Sequence, residues 1–178
     1  STNCLRSSTC SSLVSRWKPG ERMAYSNPNY AVLGYLIEKL SGQSWEAYLA
    51  GHILQPLGMR QSNFNLGSKF PLLDTREYII REGRPIRVPA VTLLSGAQGS
   101  LWSSATDMAR FVQAFLRNGQ PVLSAEALTD METPHRSLAA RSGLKSAYAL
   151  GNRTALLFGK YPFRGHDGLT GACFSSLN

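Results

Sequence analysis

Two short stretches carry the residue types that could do chemistry. The first is Tyr25-Ser26-Asn27. Residues two apart on an extended chain point the same way, so a phenol and a carboxamide would face one cavity. A phenol, with an ordinary pKa of about 10, works as a base only where cations stabilise the phenolate. A carboxamide can donate to a carbonyl and accept from an ammonium group. The plainer reading is a packed tyrosine followed by Asn27 as the N-cap of a helix, and the triplet alone leaves both open. The second stretch is Arg164-Gly165-His166-Asp167-Gly168. Glycines around a polar pair let a ligand approach the backbone closely. His166 is then a ligand contact, or else a surface histidine on an ordinary hairpin.

These stretches need elements to hold them. Asn27 as cap, Pro28 at the first helical position and Gly42 at the far end bound a helix. Val32, Leu33, Leu36, Ile37 and Leu40 recur inside it at helical spacing. Ser44 caps a second, shorter helix that ends near Pro56-Leu57-Gly58. Residues 60–75 read as loop. Residues 77–81 favour a strand, with Gly83-Arg84-Pro85 breaking it. Ser104, with Asp107 three residues on, has the spacing of a capping box. The helix it opens carries Met108, Phe111, Val112, Phe115 and Leu116 on one face and stops at Asn118-Gly119. Another short helix spans 124–131. Strands are predicted at 147–150, 155–158 and 172–177, divided by Gly151-Asn152 and by the glycine-rich residues 165–171.

Composition narrows the classes. The chain has 178 residues, 43% hydrophobic and 17% charged, which excludes a disordered tail or a fibrous repeat. No apolar run approaches the roughly 20 residues that span a bilayer. The net charge is +8, but the basic residues are scattered and do not interleave with aromatics, which predicts no nucleic-acid partner. Cys4, Cys10 and Cys173 form no C-x-x-C or Cys/His cluster, so no metal is expected. Cys4 and Cys10 could bridge in an oxidising compartment or stay as free thiols.

Several blocks together carry a resemblance. Trp17-Lys18-Pro19-Gly20 precedes Tyr25-Ser26-Asn27 and the first helix; Pro56-Leu57-Gly58-Met59 follows. Then come Gly99-Ser100-Leu101-Trp102-Ser103-Ser104-Ala105-Thr106-Asp107-Met108-Ala109-Arg110-Phe111 and finally Gly165-His166-Asp167-Gly168. In this order they resemble the serine β-lactamase and penicillin-binding protein superfamily, in its class C-like β-lactamase, D-peptidase and esterase branch. The resemblance implies an α/β (α+β) fold of β-lactamase/transpeptidase type, here a helical subdomain plus part of an antiparallel sheet. Residues 1–178 would form a partial domain, with 1–16 as loop or disorder.

The implied activity is that of a serine hydrolase acting on an ester, D-amino peptide or β-lactam carbonyl through an acyl-enzyme. Carried over by position, Tyr25 would be the general base or proton shuttle, and Asn27 would bind the substrate amide and the catalytic lysine. His166 would replace the lysine of the third family motif, and Gly168 would keep the strand open for substrate. Asp167 stands where Thr or Ser is common, and a carboxylate there would turn away anionic substrates, favouring an esterase or peptidase. The partners implied are a small-molecule or peptide substrate, with no cofactor, and the compartment is periplasmic or extracytoplasmic by family habit.

The family's nucleophile lies in an S-x-x-K motif tens of residues before its Y-x-N, and only 24 residues precede Tyr25. The string Ser15-Arg16-Trp17-Lys18 overlaps the Trp-x-Pro-Gly block and runs into Pro19, which opposes the helix that S-x-x-K needs. Ser142-Gly143-Leu144-Lys145 comes after the helical blocks. The expectation is a middle fragment without its nucleophile segment, exposing apolar surface and self-associating through a sheet edge. The alternative is a non-catalytic pseudoenzyme or a cell-wall-peptide binding module.

Overall fold

The first helix forms where its apolar spacing places it. α1 spans Asn27–Ser41. Ser26, extended at φ −149° and ψ 105°, is its cap residue, one position before the predicted Asn27. Pro28 sits in the first turn, where a missing N–H costs nothing. Gly42 closes the helix in the left-handed conformation and donates its N–H to the Glu38 carbonyl at 3.1 Å. The structure is a computed structural model that describes residues 25–64, 78–88, 96–134, 147–158, 160–170 and 173–177. The predicted loop or disorder over 1–16, both S-x-x-K strings, Cys4 and Cys10 lie outside those residues.

α2 (Trp45–Leu49) is capped by the Ser44 hydroxyl, which accepts from the Ala47 N–H at 3.2 Å. It runs on into a wider π-helical turn, Ala50–Leu54. Trp45, Leu54 and Met59 are buried here. α1 meets this layer at a glycine. A Cβ on Gly34 would stand 2.6 Å from the Ala97 methyl and 3.6 Å from the Trp45 ring, so only hydrogen lets the backbone come this close.

β1 (Tyr78–Arg81) and β2 (Arg84–Arg87) form an antiparallel ribbon that pairs Arg81 with Arg84 and Ile80 with Pro85. The predicted break at Gly83-Arg84-Pro85 is therefore a hairpin turn. Both strands of a two-stranded ribbon are edges, where a proline without an N–H is tolerated.

α3 (Ala105–Leu116) starts as the capping pattern predicts, with the Ser104 hydroxyl accepting from the Asp107 N–H at 3.2 Å. The reciprocal half of the box is replaced by a long-range contact. The Asp107 carboxylate is wholly buried and accepts from the Gln61 N–H at 2.6 Å and the Ser62 hydroxyl at 2.8 Å. It also pairs with the Arg110 guanidinium at 2.5 Å. Next to it, Asn63 and Trp102 exchange two backbone hydrogen bonds at 2.8 and 2.7 Å. The 61–63 segment is thus zipped onto the approach to α3.

α4 (Ala125–Glu132) leads to a four-stranded antiparallel sheet. Its strands are β3 (Ala147–Tyr148), β4 (Arg153–Leu157), β5 (Tyr161–Thr170) and β6 (Cys173–Leu177), paired in that order. The Met131 carbonyl at the end of α4 accepts from the Leu150 N–H and from the Asn152 side-chain amide, both at 3.1 Å. The sheet is hooked to the helix at the β3–β4 turn. β5 corrects the sequence reading: residues 165–170 belong to a ten-residue strand rather than a divider. Its first half pairs with β4 and its second half, from His166 on, with β6, so cross-strand pairing rather than intrinsic propensity extends it. Helices beside an antiparallel sheet match the α/β (α+β) class predicted. Among the described residues no helix is long and apolar enough to cross a membrane.

Asp107→Ala would leave a buried N–H unpaired and the Arg110 guanidinium without its carboxylate. The expected loss is about 2–4 kcal/mol in unfolding free energy, against about 1 kcal/mol for Ser62→Ala, read from urea denaturation midpoints.

Candidate active site

Three rings from distant parts of the chain meet beside α1. Tyr25 lies just ahead of that helix, His166 in the middle of β5, and Tyr148 at the end of β3. The Tyr25 and His166 centroids are 6.0 Å apart with their planes 27° from parallel. Tyr148 stands edge-on to both, 6.1 Å from Tyr25 at 88° and 6.1 Å from His166 at 79°. Such spacings are those of packed aromatic pairs, about 4.5–7 Å. Tyr25 is nonetheless 62% exposed, so the group opens to solvent on its side. Tyr30, on α1, joins the periphery: its hydroxyl lies 2.9 Å from where a Cβ on Gly151 would be.

The structure thus unites Tyr25 and His166, while Asp167 and Gly168 make contacts elsewhere in the sheet. Asn27 is exposed at the first residue of α1; the extended stretch that would align it with Tyr25 ends at Ser26. Side chains alternate along β5, so Asp167 projects to the face opposite His166. There its carboxylate pairs with Arg153 on β4 at 2.6 Å and accepts from the Ser176 hydroxyl on β6 at 2.8 Å. Gly168 pairs with Ser175, and a Cβ on Gly168 would fall 2.7 Å from the Ser175 hydroxyl oxygen. The absence of a side chain at 168 accommodates that neighbour strand. Among the described residues no cluster of three or more His, Cys, Asp or Glu side chains could hold a metal ion.

Tyr148 and Tyr30 are the residues that sequence reasoning missed. Tyr148 falls within the strand predicted at 147–150, and nothing local marks it as more than a β-former. The electrostatics set it apart. Partial burial, then the neighbouring Tyr30 and Tyr25, push its phenol up to about 12, with Arg153 opposing. Burial first, then Tyr25, also raises Tyr30. Tyr148 is therefore a neutral phenol throughout the physiological range.

The sign of the pH dependence follows. A phenol whose folded pKa is raised stabilises the fold fully below its ordinary value of 10.0 and loses that contribution as pH climbs toward about 12. Ultraviolet titration of the chain should show a late-ionising phenol near pH 12, missing from Tyr148→Phe. The fall of Tm above pH 10 should be shallower in that variant.

Comparison with known proteins extends the resemblance. A family model described as Beta-lactamase matches residues 8–177. PbpX of Bacillus subtilis strain 168, a protein named for penicillin binding, is 30% identical over 129 residues, covering 71% of this chain and 30% of PbpX. The Beta-lactamase of Escherichia coli strain K12 is 32% identical over 103 residues, covering 57% of this chain and 26% of that protein. The chain therefore spans less than a third of the length of these relatives. Among solved structures, the octameric penicillin-binding protein homologue from Pyrococcus abyssi superposes with a TM-score of 0.76 at 30% identity, over 91% of this chain and 36% of that one. A D-stereospecific amidohydrolase from Streptomyces sp. superposes with a TM-score of 0.72 at 25% identity, over 86% of this chain and 45% of that one.

Proposed function

Because this chain belongs to the Beta-lactamase family, we propose that its ring cluster is one wall of the active site of a serine hydrolase. The substrate is an ester or a D-amino peptide, with the β-lactam ring as a related carbonyl. One observation carries this reading: Tyr25 and His166, from opposite ends of the chain, lie 6.0 Å apart at the rim of α1. Those are the two positions to which the family motifs assign proton transfer and substrate contact.

The chemistry is acyl transfer in two halves. A serine hydroxyl attacks the carbonyl carbon, its proton passes to a base, and the leaving group departs after taking a proton. Water then attacks the acyl-serine by the same route in reverse. Tyr25 serves as the base or proton shuttle, which requires a cation to stabilise its phenolate; the lysine of S-x-x-K would supply it. His166 contacts the substrate from β5, and Asn27, at the start of α1, offers an amide to the substrate. The strings at Ser15 and Ser142 lie outside the described residues, so the proposal names no nucleophile. The family resemblance supports a site of action outside the cytoplasm.

Acyl trapping on the natural gene product tests the reading. A penicillin and an activated ester should each add one acyl group, located on a serine by peptide mapping. Tyr25→Phe keeps the ring and should lower kcat by about 10²–10⁴-fold with little change in KM. Near-normal kcat in that variant would sink the base assignment. A folded protein that binds these compounds without adduct or turnover would make the chain part of a binding module.

Self-association belongs to the same reading. β6 is the outer strand of the sheet among the described residues, and Phe174 on it is 68% exposed. Open edges of this kind recruit further strands. Light scattering on the purified 19.5 kDa chain should give an average mass above the monomer, falling toward it in Phe174→Lys.

A further inference from the structure

The proposed function assigns work to Tyr25 and His166 and none to the third ring. We propose that Tyr148 is a positioning residue of this site, whose ring sets the placement of Tyr25 against His166 and which acts through them. The inference rests on the reading of those two residues given above.

Three observations carry it. The first is geometry. Tyr25 and His166 are near-parallel at 6.0 Å, an arrangement with little orienting power by itself, whereas Tyr148 is close to perpendicular to both. Edge-to-face contact is the arrangement that the ring quadrupoles favour, so one ring locks two. The second is support. Tyr25 is 62% exposed, and its lead into α1 is the extended Ser26. Tyr148 instead pairs with Arg153 on β4, and its neighbour Ala149 is buried and donates its N–H to the Asn152 carbonyl at 2.8 Å. Leu150 then donates to Met131 of α4. The ring thus stands at a corner of the sheet that is tied to the end of α4. The third is chemistry. Burial makes this phenol harder to ionise than an ordinary one, so what it offers is a ring in a fixed place.

Two variants separate ring from hydroxyl. Tyr148→Phe keeps the ring; Tyr148→Leu keeps most of the bulk and loses it. In the full 178-residue chain, His166 is assigned by its disappearance in His166→Gln. Its ring protons should show cross-relaxation to Tyr148 ring protons and a ring-current shift. The shift should persist in Tyr148→Phe and collapse in Tyr148→Leu. In the natural gene product, kcat should fall by up to about 100-fold in Tyr148→Leu and recover to within about threefold of wild type in Tyr148→Phe. Absence of Tyr148–His166 cross-relaxation in the wild-type chain would overturn the inference, even if Tyr148→Leu does not fold. So would a kcat loss in Tyr148→Phe equal to that in Tyr148→Leu, because the hydroxyl would then be the acting group. A wild-type protein without turnover would count against the proposed function, and the ring-proton measurements would still decide this inference.

Discussion

The helical half of the molecule depends on one carboxylate. Asp107 is wholly shut away from water, and an unpaired charge in that position would cost several kcal/mol. It is tolerated because a backbone N–H, a hydroxyl and a guanidinium converge on it from residues 61, 62 and 110. Since no single donor suffices, the 61–62 segment and the first turn of α3 must be in place together. The bridge between Asn63 and Trp102 follows from that constraint, and so does the burial of Met59 just before it. The same layer includes Trp45, against which α1 lies at Gly34. The start of α1, and with it Tyr25, is therefore held at a distance by a buried ion.

The sheet is anchored separately. The Met131 carbonyl, at the end of α4, takes two hydrogen bonds from the β3–β4 turn, and Glu132 faces the Arg164 guanidinium of β5 at 3.6 Å. β5 pairs with β4 along Tyr161–Gly165 and with β6 along His166–Thr170, so His166 is held in register by Leu177. Tyr25 and His166 belong to two units, each held by its own polar contacts. Where they meet, the contact is between rings. Ring packing constrains distance and angle less sharply than hydrogen bonds do, which is why a third ring at right angles matters.

The helices were legible in the sequence because their signals are local. Caps, a closing glycine and apolar residues at helical spacing all lie within one element, and α1, α3 and α4 appear within a residue or two of where those signals put them. The errors share one cause, which is that a distant partner overrode a local pattern. Ser104 and Asp107 have capping-box spacing, yet the Asp107 carboxylate turns to a loop more than forty residues upstream. Residues 165–168 look like a turn because they hold two glycines and two charged or polar side chains, yet the pairing of Gly165 with Arg153 and of His166, Asp167 and Gly168 with β6 extends them. Tyr25 and His166 could be named from motif resemblance. Tyr148 could not, because its role exists only once β3 is laid beside β5 through β4.

The period of two along β5 also changes where charge acts. A carboxylate beside His166 in sequence suggests repulsion of anionic substrates, but Asp167 projects from the opposite face. There it links three strands, through Arg153 on β4 and Ser176 on β6. The pair is partly exposed, and pairs of that kind stabilise by about 0–1 kcal/mol, too little to hold the sheet. Its larger effect is on register. A slip of one residue along β5 would move every side chain to the other face, sending His166 away from Tyr25 and bringing Asp167 toward it. That slip would also separate Asp167 from Arg153 and Ser176 and place a carboxylate among the rings. The Arg153 and Ser176 contacts of Asp167 and the stacking of His166 on Tyr25 therefore favour the same register. On the proposed reading, discrimination among carbonyl substrates then falls to the ring wall and to Ser175, which occupies the space over Gly168.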